Sequence, residues 1–220
     1  MEVCYNQEDV SLCPEYRDVY KRQQQCNLLC GVDEAGRGPL AGDVYAAAVI
    51  LPMDCEIEGL NDSKKLTAKK REALFCEIKE KAVSFCIATA SVEEIEKVNI
   101  LNATFLAMRR AVEGLSQQPQ VALVDGNRSP GLPVHTKCIV KGDAASASIA
   151  AASILAKVAR DHYMEEVARQ YPEYEFEKHK GYGTRLHYEK LDEYGESPVH
   201  RHSFLKKYYA QKQEDTAEKK

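Results

Sequence analysis

Short apolar runs alternate along this chain with stretches whose apolar residues recur every three or four positions. "LLCGVD" (28–33) and "DVYAAAVIL" (43–51) are dense in apolar residues, and "EAGRGPLAG" between them carries the glycines and proline of a tight connection. Both runs therefore predict strands. "LTAKKREALFCEIKEKA" sets Leu74, Phe75, Ile78 and Ala82 at helical spacing behind Thr67, a ready N-cap. "VSFCIATA" (83–90) predicts a strand, and Ser91 with Glu94 forms the capping box of a short helix. Residues 102–115 place Phe105, Met108, Val112 and Leu115 on one stripe, a second helix. "QVALVD" (120–125) and "VHTKCIV" (134–140) predict two more strands. From Ser146 to about Gln170 the chain is rich in alanine and helical, and Ala147, Ala150, Ala151 and Ser153 would let it lie close against a sheet. Shorter helices are expected after "GYGT" and after "SPVHRHSF", and the charged end "KQEDTAEKK" is expected to fray. Strands and helices mix without a linker, which predicts one α/β domain ending in a helical section.

Composition narrows the class. The 220 residues are 44% hydrophobic and 29% charged, ordinary for a soluble globular protein. No apolar run reaches the roughly 20 residues that span a bilayer. The acidic start "MEVCYNQEDVSLCPEY" lacks the apolar core of a signal peptide, so a cytoplasmic protein is expected. The eight cysteines are scattered, and "CNLLC" (26–30) has no second pair to complete a zinc site. They are expected to be reduced packing residues. Net charge is −4, but "NDSKKLTAKKRE" (61–72) and "KHKGYGTRLHY" (178–188) are locally basic.

The acids at the strand ends carry the chemistry. Asp33 and Glu34 end the first strand, Asp125 ends "VALV", and Asp143 follows "CIVKG". If strands 28–33 and 120–125 are parallel neighbours, Asp33 and Asp125 meet at the edge where open α/β sheets bind ligands. Carboxylates gathered there repel one another unless a cation intervenes. Mg²⁺ is the natural counter-ion, and two ions roughly 3.5–4 Å apart can clamp the attacking and leaving oxygens of a phosphoryl displacement. Asp125 in "DGN" and Asp143 in "KGDAAS" fit equally well as turn residues or helix caps.

"GVDEAGRGPLAGDV", "LNDSKKL", "VDGNR", "VKGDAASASIAAASILAKVARD" and "HKGYGT", in that order, resemble the signature blocks of bacterial ribonuclease HII. The resemblance covers about residues 28–205, leaving an N-terminal extension (1–27) and a C-terminal tail (206–220). It implies an α/β fold with a ribonuclease H-like mixed sheet flanked by helices and a helical C-terminal section. It implies an endonuclease that cuts RNA in RNA/DNA hybrids, or 5′ to a ribonucleotide embedded in duplex DNA, leaving 3′-hydroxyl and 5′-phosphate ends. The family's four acids match Asp33, Glu34, Asp125 and Asp143, which would be both catalytic and metal-holding, with Mg²⁺ or Mn²⁺ as cofactor and two ions when substrate is bound.

The Gly-Arg-Gly turn matches Gly36, Arg37 and Gly38, where missing Cβ atoms would let backbone approach the 2′-hydroxyl. The junction-reading tyrosine matches Tyr182. Ser63, Lys64 and Lys65 in "DSKK", Lys141, Lys180 and Arg185 are candidate contacts to the substrate backbone. Asp161, about five helical turns from Asp143, reads as structural. No membrane or obligate protein partner is expected, and the chain should act as a monomer. Ribonuclease HIII shares the core but carries an extra N-terminal domain and a glutamate as fourth acid, whereas here Asp143 holds that place after some 27 leading residues. A non-catalytic nucleic-acid-binding module would not explain four acids, and a carboxylate-pair glycosidase would not explain the Gly-Arg-Gly turn.

Overall fold

The structure, a computed structural model, describes residues 28–52, 55–60, 63 and 66–217. Five strands form one sheet in the order β3-β2-β1-β4-β5: β1 (Leu29–Ala35), β2 (Val44–Ile50), β3 (Ser84–Ala90), β4 (Val121–Asp125) and β5 (His135–Ile139). β1, β2 and β3 pair antiparallel, while β1–β4 and β4–β5 are parallel, so the sheet is mixed. β1 is central because it is apolar on both faces: Leu29, Cys30 and Val32 are fully buried.

Alternation along the strands sorts the core into two layers. Cys30, Val32, Ala46, Ala48 and Val124 pack against α2 (Val92–Val98) and α3 (Ile100–Glu113). Ala47 and Val49 face the other way, onto α1 (Ala68–Lys81) and α5 (Ala147–Gln170). The alanine-rich face of α5 lies against β1 so tightly that a Cβ on Gly31 would stand 2.1 Å from the backbone carbon of Ser148. Among the described residues, no helix is long and apolar enough to cross a membrane.

Local capping sets the helix starts. Thr67 accepts from the Lys70 amide, and Ser91 and Glu94 make both bonds of the capping box. α3 begins two residues before the predicted stripe, at Ile100, because Asn99 caps it by accepting from the Asn102 amide. A one-turn helix, α4 (Gly142–Ala145), precedes α5, whose N-cap is Ser146. The helical section continues through a 3₁₀ turn (Pro172–Tyr174), α6 (Phe176–His179), α7 (Arg185–Tyr194) and α8 (His202–Ala217).

α8 runs past the point where charge predicts fraying. Tyr208 and Lys212 both bond Asp192 of α7, and Tyr208 packs on Tyr188, so the helix is tied to its neighbour beyond Lys206. Cys30 is buried, and Cys55, Cys76, Cys86 and Cys138 are free thiols, of which Cys76 is exposed. Lys64 and Lys65 lie outside the described residues.

Candidate active site

The two adjacent acids lie within β1, just before its last residue Ala35, so they point to opposite faces of the sheet. Asp33 pairs with Ala47, on the α5 side, and is 5% exposed. Its carboxylate accepts from the Glu34 amide at 2.7 Å and from the Ser153 hydroxyl. Burial drives its pKa well above the usual carboxylate range, and the charges of Glu34 and Asp125 add to the rise. Glu34 emerges on the α3 side, where it lines a cleft and meets the Arg37 guanidinium at 3.3 Å.

The parallel pairing of β1 with β4, with Val32 opposite Val124, brings Asp125 beside this pair. The Gly142 amide donates to Asp125 Oδ1 at 2.6 Å. That bond draws the first turn of α4, and with it the half-buried Asp143, to the same edge of the sheet. All four predicted acids thus gather at the C-terminal ends of β1 and β4. They do not form a closed cage: among the described residues, no three His, Cys, Asp or Glu side chains converge closely enough to hold a metal by themselves. The donor set is nonetheless all oxygen, and a buried carboxyl pressed by two others suits a hard divalent cation.

The glycine-rich turn is held from behind by two arginines that are each 0% exposed. Arg201 donates to the carbonyls of Gly36 (2.7 Å), Arg37 (3.2 Å), Pro39 (2.8 Å) and Gly42 (2.8 and 2.6 Å). Arg160 donates to those of Ala41 (3.1 Å), Asp43 (3.2 Å) and Lys180 (3.1 Å). Gly36 has φ +99°, and a Cβ there would stand 2.1 Å from Arg160 Nε. Its glycine is therefore demanded from inside the protein. Gly38 differs: a Cβ there would meet only Tyr182 Cε1, at 3.8 Å. Tyr182 is 42% exposed and comes alongside because the Leu40 amide donates to the Gly181 carbonyl at 2.8 Å.

The other predicted contacts are more dispersed. Ser63 is buried, its hydroxyl 2.9 Å from that of Ser153, so it faces the core and not solvent. Lys180 pairs with Glu165 at 2.9 Å, and the exposed Arg185 with Glu189 at 2.9 Å. Lys141 is exposed, with φ +57°, at the start of α4. Asp161 ties Lys157 to Arg71, away from the acids. Sequence reasoning missed Arg160, Arg201 and Ser153. A signal for Arg160 was present: it sits four residues from both Ala156 and Met164, on the buried stripe of α5.

A family model described as ribonuclease HII matches residues 30–207. The chain belongs to the ribonuclease HII family. It is 60% identical over 179 residues to the ribonuclease HII of Marinomonas sp. (strain MWYL1), covering 81% of this chain and 90% of that one. With the ribonuclease HII of Vibrio parahaemolyticus it shares 55% over 185 residues, 84% of this chain and 88% of the relative. In three dimensions it resembles the ribonuclease H2 of Pyrococcus horikoshii OT3, with TM-score 0.67, 28% identity and coverage of 80% and 92%. Bst-RNase HIII, solved in complex with Mn²⁺, shares the fold at TM-score 0.61 and 17% identity, covering 77% of this chain and 71% of that one. Membership makes the chain a hydrolase, an endonuclease of the ribonuclease H type. The matched span begins two residues after residue 28 and ends two residues after residue 205.

Proposed function

We propose that this chain cuts RNA in RNA/DNA hybrids and the strand 5′ to a ribonucleotide embedded in duplex DNA, leaving 3′-hydroxyl and 5′-phosphate ends. The observation that carries this reading is the meeting of three features at one sheet edge. Asp33 and Asp125 lie at the C-terminal ends of adjacent parallel strands, the Gly36–Gly38 turn follows at once, and Tyr182 stands beside Gly38. Asp33, Glu34, Asp125 and Asp143 would hold Mg²⁺ or Mn²⁺, two ions once substrate is bound. When bound, such ions lower the pKa of water and stabilise charge on phosphate and leaving oxygen, so no histidine base is needed.

The protein's own contribution is placement. The Arg201 and Arg160 clamp fixes the carbonyls of residues 36–43, so the turn meets a 2′-hydroxyl without reorganising. Tyr182 offers a ring face to the neighbouring sugar, where an extra hydroxyl changes the fit. Lys141, Lys180 and Arg185, with Lys64 and Lys65, would meet phosphates and carry no sequence information.

The deciding experiment is a labelled DNA duplex with one ribonucleotide, incubated with Mg²⁺, with Mn²⁺ and with chelator, beside an all-DNA control. One metal-dependent cut on the 5′ side of the ribonucleotide is expected. Uncut duplex, from folded protein that does cleave a longer hybrid, would remove the embedded-ribonucleotide part of the proposal.

A further inference from the structure

The sequence "DGNR" contributes Asp125 to the acids, but Arg128 has so far no role. β4 ends at Asp125, and the chain turns through Gly126, whose amide donates to the Ile139 carbonyl at 3.0 Å. At the far end of this loop, Arg109 of α3 donates to the Pro130 carbonyl at 2.8 Å. The loop is thus pinned at both ends, with Arg128 exposed between them.

Below it lies a cleft of about 270 Å³ whose lining includes Leu101, Phe105 and Met108 of α3, Arg128, and the two acids Glu34 and Asp125. It is smaller than the roughly 300–1,000 Å³ of drug-sized ligand pockets. The cleft thus joins three apolar side chains of α3 to a cationic rim and a border shared with the acids. Arg37, also on this rim, is engaged by Glu34 at 3.3 Å. Arg128 makes no ion pair or hydrogen bond among the described residues. A ligand here must offer an anion at one end and a weakly polar body at the other. Because the cleft shares Glu34 and Asp125 with the candidate active site, that ligand must also adjoin the reacting bond.

We propose that this cleft seats the sugar–phosphate unit next to the scissile bond of the cut strand, with Arg128 on its phosphate and Phe105 and Leu101 beneath its sugar. The inference rests on the function proposed above and deepens it: it adds a binding position on the α3 side of the sheet, opposite Ser153 and α5. A phosphate held there fixes the register of the strand over Asp33 and Asp125 without reading a base.

The test pairs a protein change with a substrate change. Duplexes carrying one ribonucleotide are made with single uncharged methylphosphonates at successive phosphates around it. Binding to the wild-type chain and to Arg128→Ala is measured by fluorescence anisotropy, with chelator present so that no strand is cut. Arg128→Ala is expected to bind the unmodified duplex roughly 10-fold more weakly, as for loss of a charged hydrogen bond. Its slope of log affinity against log salt should fall by about one. At one phosphate, no more than one unit from the scissile bond, the methylphosphonate should weaken wild-type binding by a similar factor and leave Arg128→Ala unaffected. Independent losses at every phosphate, or coupling only at a distant one, would overturn the proposal. Cleavage of the unmodified duplex by wild type in Mg²⁺ separates failure of this seat from failure of the proposed reaction.

Discussion

The guanidinium of Arg201 donates twice to the carbonyl of Gly42, at 2.8 and 2.6 Å, across 159 residues of sequence. With its bonds to Gly36, Arg37 and Pro39, this fully buried cation is met by carbonyl oxygens and not by a carboxylate. Burial and neighbouring Arg160 push its pKa down to about 9, which leaves it charged at neutral pH. Arg201→Met would strand four carbonyls and free the turn that flanks the acids. A loss on the order of 3–5 kcal/mol is expected, the cost of breaking a buried charged network, read by urea denaturation. Arg201→Lys cannot reproduce the fork and should recover only part of that loss.

Short-range signals were legible in the sequence and long-range ones were not. The Ser91–Glu94 box, the Thr67 cap and the apolar strand runs each declare themselves within a few residues, and the structure makes each one. The four acids were selected by their place at strand ends, which the parallel β1–β4 pairing turns into proximity. The clamp behind the turn spans 117 to 165 residues, and no local pattern encodes which carbonyls a distant arginine will find. Gly36 shows the cost: read alone it suggested room for substrate, whereas φ +99° and Arg160 already require it.

Asp33 holds its proton to higher pH than a free carboxyl because it is buried and faces Glu34 and Asp125. A carboxyl with a raised folded pKa destabilises the fold as pH climbs from the unfolded value, near 3.9, toward the folded one. Asp125→Asn removes one of the charges responsible. The variant should melt at or above the wild-type temperature at pH 7 without metal, and the gain should vanish below about pH 4. Its metal-dependent cleavage should fall on the order of 10²–10³-fold, as for removal of one preorganised charge-stabilising group. Calorimetry at the two pH values, beside the cleavage assay, checks both.

Three histidines are packed without charge behind Tyr182. His187 Nδ1–H donates to the Tyr182 carbonyl at 3.0 Å, so its Nε2 accepts from His200 Nε2–H, also at 3.0 Å. His200 Nδ1 then accepts from the Ser197 amide at 2.9 Å, and His179 stacks on His187. Burial first, then the neighbouring histidine, pushes His187 and His200 each down to about 4. These groups stay neutral in the fold while the unfolded chain takes up protons below about pH 6.5. Stability should therefore drop between about pH 6.5 and 4, by on the order of 3 kcal/mol for each of the two. His187→Gln should flatten that slope in urea titrations run across the window.

Ser153 links the acid to the loop bearing Ser63. Its hydroxyl donates to the Asp33 carboxylate, so in the 2.9 Å contact between the two hydroxyls Ser63 must be the donor. Ser63 is itself fixed from behind, since Arg71 donates to its carbonyl at 3.0 Å. Ser153→Ala deprives Asp33 of a donor and leaves the Ser63 hydroxyl buried without its acceptor, at a cost of about 1–3 kcal/mol. Ser63→Ala alone removes only the outer bond and should cost about 1 kcal/mol. Once Ser153 is gone, however, replacing Ser63 removes a stranded polar group and should cost nothing. The double variant is thus expected to be no less stable than Ser153→Ala, with a coupling of about 1 kcal/mol in the denaturation cycle. Simple additivity would mean that the two hydroxyls do not act in series.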